Sequence, residues 1–208
     1  MKRVLGFFGA FNPPTQAHLL LAEHAMHQTG REGVLFVPSK ADYIVGAQHK
    51  DGALDDKARL ELLRILTRTR PWMEVTDWEM RQEKQPRTYE TLCALKDEGW
   101  ECALLIGSDK LGEMDTGWRY VEDIAEEFGM VCLARGADRV EEIIEESPRL
   151  RPLKEHISVI ETPEEMKAVS STKVREHLRR LCEIQRALGE LVPRDILAPL
   201  TEAWTREE

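Results

Sequence analysis

The chain has 208 residues, 42% hydrophobic and 32% charged, which suits a globular protein with a substantial core and excludes a disordered or fibrous one. A net charge of −9 argues against a large nonspecific nucleic-acid footprint, while leaving room for a local basic pocket that holds phosphates. The longest apolar runs, such as Cys102–Gly107, are strand-sized and too short to span a bilayer, so no membrane association is expected.

Strand-like runs alternate with helical patterns along the whole chain. Arg3–Phe8 reads as a strand feeding a Gly/Asn/Pro turn, and Gln16–Thr29 as a helix with Leu19, Leu20, Ala22, Ala25 and Met26 mostly on one face. Val34–Pro38 is a second strand, and Asp55–Thr69 a helix capped by Asp55 or Asp56. Ser39–Leu54 between them is polar and without period, the length at which loops are often functional. Met73–Thr76 reads as strand, Tyr89–Glu98 as helix, Ala103–Gly107 as strand, Gly117–Glu127 as helix and Gly129–Ala134 as strand. Val140–Glu146 follows as helix, Glu155–Ile160 as strand, Ser171–Cys182 as helix, and Pro193–Trp204 as a short helix opened by proline.

Strands separated by helices imply an α/β fold, a doubly wound, Rossmann-like parallel sheet covered on both faces. One domain over residues 1–208 is expected, with a small helical extension from about 171 to 208. Ligands of such sheets bind beyond the carboxyl ends of the strands, so the first strand-to-helix turn is where chemistry belongs. The four cysteines lack a CxxC pair and the six histidines lack metal-ligand spacing, so no structural zinc is expected. Only Lys2 and Arg3 precede a short apolar segment, which does not make a signal peptide, and a cytoplasmic protein is expected.

The first turn reads Gly9-Ala10-Phe11-Asn12-Pro13-Pro14-Thr15-Gln16-Ala17-His18. Gly9 permits close backbone approach, and the N–H groups opening the next helix offer a positive dipole end to an anion. Thr15 and His18 stand one helical turn apart, and His18 could donate to a phosphate oxygen as charge accumulates on it. Residue by residue, a capped turn with a surface histidine explains this equally well. Near the C-terminus, Val169-Ser170-Ser171-Thr172-Lys173-Val174-Arg175 opens another helix with hydroxyls, amides and two cations. Taken alone, it is most simply an N-capped helix with a solvated basic face.

Together the two stretches resemble the G-x-F-x-P-x-(H/T)-x-x-H and (I/V)-S-S-T-x-x-R elements of the nucleotidylyltransferase superfamily. The resemblance implies that Gly9, Ala10, Phe11 and His18, with Ser171, Thr172 and Arg175, bind ATP. It further implies that His18, Thr15 and Arg175 serve the transfer of the α-phosphate. Thr15 stands where the superfamily's first histidine often does, as in eukaryotic-type nicotinamide mononucleotide adenylyltransferases, and Ala17 replaces a frequent glycine.

The acceptor is read from the middle of the chain. Gly107-Ser108-Asp109-Lys110-Leu111 with Trp118 resembles the G-x-D-x-L…W stretch of the nicotinate/nicotinamide mononucleotide adenylyltransferases, and Thr88-Tyr89-Glu90-Thr91-Leu92 their T-x-x-T-L stretch. Asp77-Trp78-Glu79 is similar to a W-E element of the nicotinamide-type enzymes, as is Pro38-Ser39-Lys40-Ala41-Asp42-Tyr43 to their P-V-x-D-x-Y. By that resemblance Lys40, Thr88, Tyr89, Gly107, Asp109 and Trp118 bind the mononucleotide, with Lys50 an alternative to Lys40 as a phosphate contact. The implied reaction joins nicotinate or nicotinamide mononucleotide to the AMP part of ATP, with Mg²⁺ accompanying the ATP and no metal held by the protein. Two other classes remain open on sequence: a relative with another acceptor, of cytidylyl or pantetheine-phosphate type, and a non-catalytic nucleotide-binding regulator.

Overall fold

The computed structural model describes residues 1–46, 53–134, 139–163 and 171–191. The helix expected at Pro193–Trp204, Lys50 in the long loop, and Val169 and Ser170 lie outside the described residues. The chain divides into two compact units, Met1–Val169 and Ser170–Glu208.

The first unit is built on six parallel strands: β1 (Lys2–Gly9), β2 (Gly33–Pro38), β3 (Met73–Val75), β4 (Trp100–Gly107), β5 (Met130–Ala134) and β6 (Ile157–Glu161), in the order β3-β2-β1-β4-β5-β6. The chain steps outward from β1 to β3, then returns to the other side of β1 and steps outward again. That reversal opens a crevice between β1 and β4 at their carboxyl ends, where doubly wound sheets take their ligands. Register places it: two residues beyond the paired Phe7 and Leu105 lie Gly9 and Gly107, one on each wall.

Alternation along the strands builds a core on each face. Leu5, Phe7, Val34, Phe36, Ala103 and Leu105 pack with the first helices, while Val4, Leu35, Val37, Cys102, Leu104 and Ile106 pack on the opposite side. Parity sorts these residues because successive side chains of a strand point to opposite faces. Burial on both sides also explains why β2 reads as one apolar run, since all six of its residues are buried. Helices α1 (Gln16–Thr29) and α3 (Asp56–Thr67) belong to the first face, with α2 (Ala41–Gly46) between them in sequence. Asp55 caps α3 by accepting from Ala58 N at 2.7 Å, and Gly30 ends α1 in the left-handed region at φ 61°.

Helices α5 (Thr88–Asp97), α6 (Ser108–Gly117), α7 (Val121–Phe128) and α8 (Val140–Glu146) contribute to the second core, and a 3₁₀ turn at Arg151–His156 leads into β6. A single helix was expected over Gly117–Glu127; the structure instead has α6 ending at Gly117 and α7 starting at Val121. Tyr120, at φ 62°, breaks the path between them. Short α2 and α4 (Trp78–Arg81) also occur where no helix was expected. Neither has room for a period, since α2 buries only Ile44 and α4 only Glu79. Among the described residues no helix is long and apolar enough to cross a membrane. No disulfide occurs among the described residues; Cys102 and Cys132 are buried, and burial pushes the Cys102 thiol up to about 12. The second unit contains α9 (Ser171–Leu191), longer than the expected Ser171–Cys182.

Candidate active site

The β1–α1 turn is shaped by Gly9 and Phe11. Phe11 has φ 44°, unusual for a bulky residue, yet its side chain is only 2% exposed. Its ring meets Phe7 edge-on at 5.4 Å, Phe36 at 5.2 Å and the His18 imidazole at 5.2 Å. Burying such a ring contributes about 1.5–3 kcal/mol, which offsets the roughly 1–3 kcal/mol cost of the left-handed backbone. Gly9 leaves room for the same fold-back, since a Cβ there would crowd the Phe11 ring at 3.2 Å. Any contact of Phe11 with a ligand is therefore through its backbone.

Thr15 caps α1 and is nearly buried. Its backbone N–H donates to His18 Nδ1 at 3.0 Å, and its hydroxyl lies 2.8 Å from the same nitrogen. An N–H can only donate, so Nδ1 is the acceptor and the proton of the neutral ring sits on Nε2. His18 thereby occupies the place that Glu or Gln fills in a capping box. The two residues expected to work together do touch, with Thr15 orienting the ring of His18.

Of the residues expected to bind the acceptor, Lys40 follows β2, and its ammonium donates to Met80 O at 3.0 Å and Gln82 O at 2.7 Å. It secures the segment after α4. Lys40 N donates to Gln85 Oε1 at 2.8 Å, and Gln85 Nε2 donates to Glu79 Oε2 at 2.5 Å. Thr91 Oγ1 donates to the other oxygen, Glu79 Oε1, at 2.9 Å. Glu79 is 2% exposed, and burial raises its carboxyl to about 7 against the two hydrogen bonds that favour the anion. The three stretches marked for the acceptor, Pro38–Tyr43, Asp77–Glu79 and Thr88–Leu92, are thus joined by one hydrogen-bonded chain.

Thr88 opens α5 and is half-buried, while the Tyr89 ring stacks on Tyr120 at 5.2 Å and its hydroxyl donates to Glu127 Oε1 at 2.7 Å. Gly107 is the N-cap of α6, Asp109 lies exposed in its first turn, and Trp118 is the half-buried C-cap. A ten-residue helix about 15 Å long therefore separates Gly107 from Trp118. Arg149 holds the far end: its Nη1 donates to Met114 O at 3.0 Å and Trp118 O at 2.8 Å. The same guanidinium forks onto Glu122 at 2.6 and 2.8 Å and lowers that carboxyl to about 2.

In the second unit, Ser171 and Thr172 open α9, and Arg175 Nη2 donates to Thr172 Oγ1 at 3.1 Å. The one-turn spacing expected for a shared anion is present. No cluster of three His, Cys, Asp or Glu side chains able to hold a metal occurs among the described residues.

Residues 7–177 match the model of the cytidylyltransferase-like family. A probable nicotinate-nucleotide adenylyltransferase of Exiguobacterium sibiricum is 31% identical over 199 residues, 94% of each chain. The chain belongs to this family of nucleotidylyltransferases. A nicotinamide/nicotinic acid mononucleotide adenylyltransferase of Oryza sativa is 28% identical over 88% of this chain and 78% of its own length. Among solved structures, the Plasmodium falciparum nicotinic acid mononucleotide adenylyltransferase complexed with APC superposes with a TM-score of 0.65 at 17% identity. That match covers 85% of this chain and 83% of that one, a likeness of fold.

Membership makes the buried and half-buried charged residues that sequence reasoning passed over more telling. Glu79 was noticed only as part of a W-E pair, and Arg149 and Arg59 were not noticed. One signal for Arg59 was present: it stands in phase with Leu63 and Leu66 on α3, a charge within the apolar stripe.

Proposed function

We propose that this chain transfers AMP from ATP to nicotinate mononucleotide, releasing pyrophosphate and forming nicotinate adenine dinucleotide, a step of NAD biosynthesis. The observation that carries this reading is the Thr15–His18 pair at the start of α1, beside the β1/β4 crevice, in a chain of this family. A phosphate oxygen of the mononucleotide attacks the α-phosphorus of ATP, the new P–O bond forms, and the bond to the β-phosphate oxygen breaks. The attacking phosphate is already ionised near neutral pH, so no general base is needed, and positioning and charge stabilisation do the catalysis.

His18 donates from Nε2 to the α-phosphate as charge builds, with Thr15 holding the ring. The amides of Gly9, Ala10 and Phe11 line the ATP side. Ser171, Thr172 and Arg175 are assigned to the β- and γ-phosphates on their motif, in a helical extension of one nucleotidylyltransferase domain. Mg²⁺ arrives with the triphosphate and offsets its charge. Gly107, Asp109, Thr88, Tyr89 and Trp118 are assigned to the mononucleotide, with Lys40 supporting that side through its bonds to Met80 and Gln82. The partners are these small molecules alone, consistent with the charge of −9. Four cysteines without a CxxC pair suit the reducing cytoplasm, where we place the protein.

Pyrophosphate release with ATP and each candidate acceptor tests the reading. Nicotinate mononucleotide is expected to give the highest kcat/KM, nicotinamide mononucleotide less, and pantetheine phosphate none; turnover with pantetheine phosphate alone would overturn it. Three variants separate the assigned roles. Arg175→Ala is expected to raise the KM for ATP with little change for the mononucleotide. Trp118→Ala should weaken both pyridine mononucleotides alike, by about 1–3 kcal/mol for a lost stacking contact. Arg87→Ala, at the N-cap of α5, should weaken only the nicotinate form, so KM values for both mononucleotides separate stacking from carboxylate recognition.

A further inference from the structure

Arg59 has the largest fully buried side chain in the described structure, with 0% exposure. A guanidinium is seldom enclosed without a task for its donors, and each of its three nitrogens has one. Nη1 donates to Ala10 O at 2.7 Å, in the turn after β1. Nη2 donates to Ser39 O at 2.5 Å, in the turn after β2. Nε donates to Leu54 O at 3.2 Å, and Nη2 also meets Asp56 Oδ1 at 2.5 Å.

The groups around it tie the same two turns together. Ser39 N donates to Gly9 O at 3.0 Å, Leu54 N to Asn12 Oδ1 at 3.0 Å, and Ala41 N to Asp56 Oδ1 at 2.7 Å. One turn carries Gly9, Ala10 and Phe11 of the ATP side, and the other leads into Lys40 of the acceptor side. Every contact of Arg59 other than Asp56 is to a backbone carbonyl, so the side chain fixes how the peptide planes of both turns face. With its carbonyl bonded to Arg59, the peptide that follows Ala10 has its N–H committed to the opposite direction.

We propose that Arg59 is a positioning residue for the transfer reaction, setting the ATP turn and the acceptor turn in one fixed relation through Ala10 O and Ser39 O. The proposal rests on the adenylyl-transfer reading above. Arginine suits the task because its planar fork addresses several acceptors at once, whereas a lysine ammonium reaches them as a single point. In-line transfer depends on the relative placement of two substrates, and a displacement of about 1 Å costs on the order of 10²-fold in rate.

The test uses the full chain carrying Arg59→Lys, which keeps a cation beside Asp56 and with it the buried charge balance, and Arg59→Ala with added guanidinium ion. Steady-state constants for ATP and nicotinate mononucleotide are measured well below each variant's unfolding midpoint, normalised to the folded fraction. In Arg59→Lys, kcat/KM is expected to fall on the order of 10²-fold for both substrates. Millimolar guanidinium is expected to restore part of the activity of Arg59→Ala and none of Arg59→Lys, whose ammonium fills the cavity. A lowered unfolding midpoint with both kcat/KM values near the parent's would show a purely structural arginine and overturn the proposal. A fall confined to one substrate would overturn it as well, since both turns hang on the same group. Absence of turnover in the parent chain, by contrast, would reject the adenylyl-transfer reading itself.

Discussion

His18→Ala is expected to lower kcat on the order of 10²–10³-fold while leaving the affinity for ATP nearly unchanged, the usual cost of losing one donor that acts in the transition state. The reason lies in how the ring is held. Thr15 N–H donates to Nδ1, which fixes the neutral tautomer with its proton on Nε2. Phe7 and Phe11 pack the imidazole at centroid distances of 6.2 and 5.2 Å and limit its rotation. A donor so placed costs no reorganisation when negative charge grows on the α-phosphate. Thr15→Val removes the hydroxyl contact but keeps the backbone donor, so its loss of kcat should be smaller than that of His18→Ala. Single-turnover rates and equilibrium ATP binding for both variants decide the matter. If His18→Ala weakened ATP binding as much as it slowed turnover, the histidine would be a ground-state ligand instead.

Much of this arrangement was legible in the sequence, for physical reasons that differ from element to element. Strands buried on both faces, such as β2 and β4, announce themselves as continuous apolar runs, and the alternation with helices fixed the fold class. The Thr15–His18 pair was legible because N-cap chemistry is local and a one-turn spacing brings the side chains together. Helix α6 went unread because residues 108–117 carry two glycines and only Leu111 and Met114 as buried apolar anchors, and α7 was expected to start at Gly117, four residues early. The break between the two is made by Tyr120 in the left-handed region, a conformation that nothing in a tyrosine advertises. Arg59, Glu79 and Arg149 were passed over in the sequence for a different reason. Arg59 and Glu79 stand on helices, where a charged residue reads by default as solvated, and Arg149 in a turn; the groups that hold them, among them Ala10 O, Thr91 Oγ1 and Trp118 O, are announced by no local pattern. Lys40 shows the same limit: its ammonium, expected on a phosphate, donates to Met80 O and Gln82 O, about forty residues away.

Glu79 leads to a prediction about pH. Its folded carboxyl titrates near 7 against an ordinary value of 4.5, because burial disfavours the anion more than Gln85 and Thr91 favour it. Between those two values the folded protein holds a proton that the unfolded chain has released. The stability tied to that proton is fully present below about pH 4.5 and is lost as pH rises through about 7, after which the curve is flat. The full difference amounts to about 3 kcal/mol, of which roughly 2–3 kcal/mol falls between pH 5 and 8. Glu79→Gln should remove this dependence without emptying the site. The new amide can present its oxygen to Gln85 Nε2 and its NH₂ to Thr91, whose hydroxyl then turns to Arg87 O, 3.4 Å away. Gln85 keeps its orientation in that arrangement, so Lys40 N retains its acceptor. Urea unfolding of parent and Glu79→Gln at pH 5, 6, 7 and 8 is the measurement, with the variant gaining on the parent by about 2–3 kcal/mol across the series. A constant difference between the two curves would mean that Glu79 is already ionised at pH 5, and that Gln85 and Thr91 compensate its burial in full.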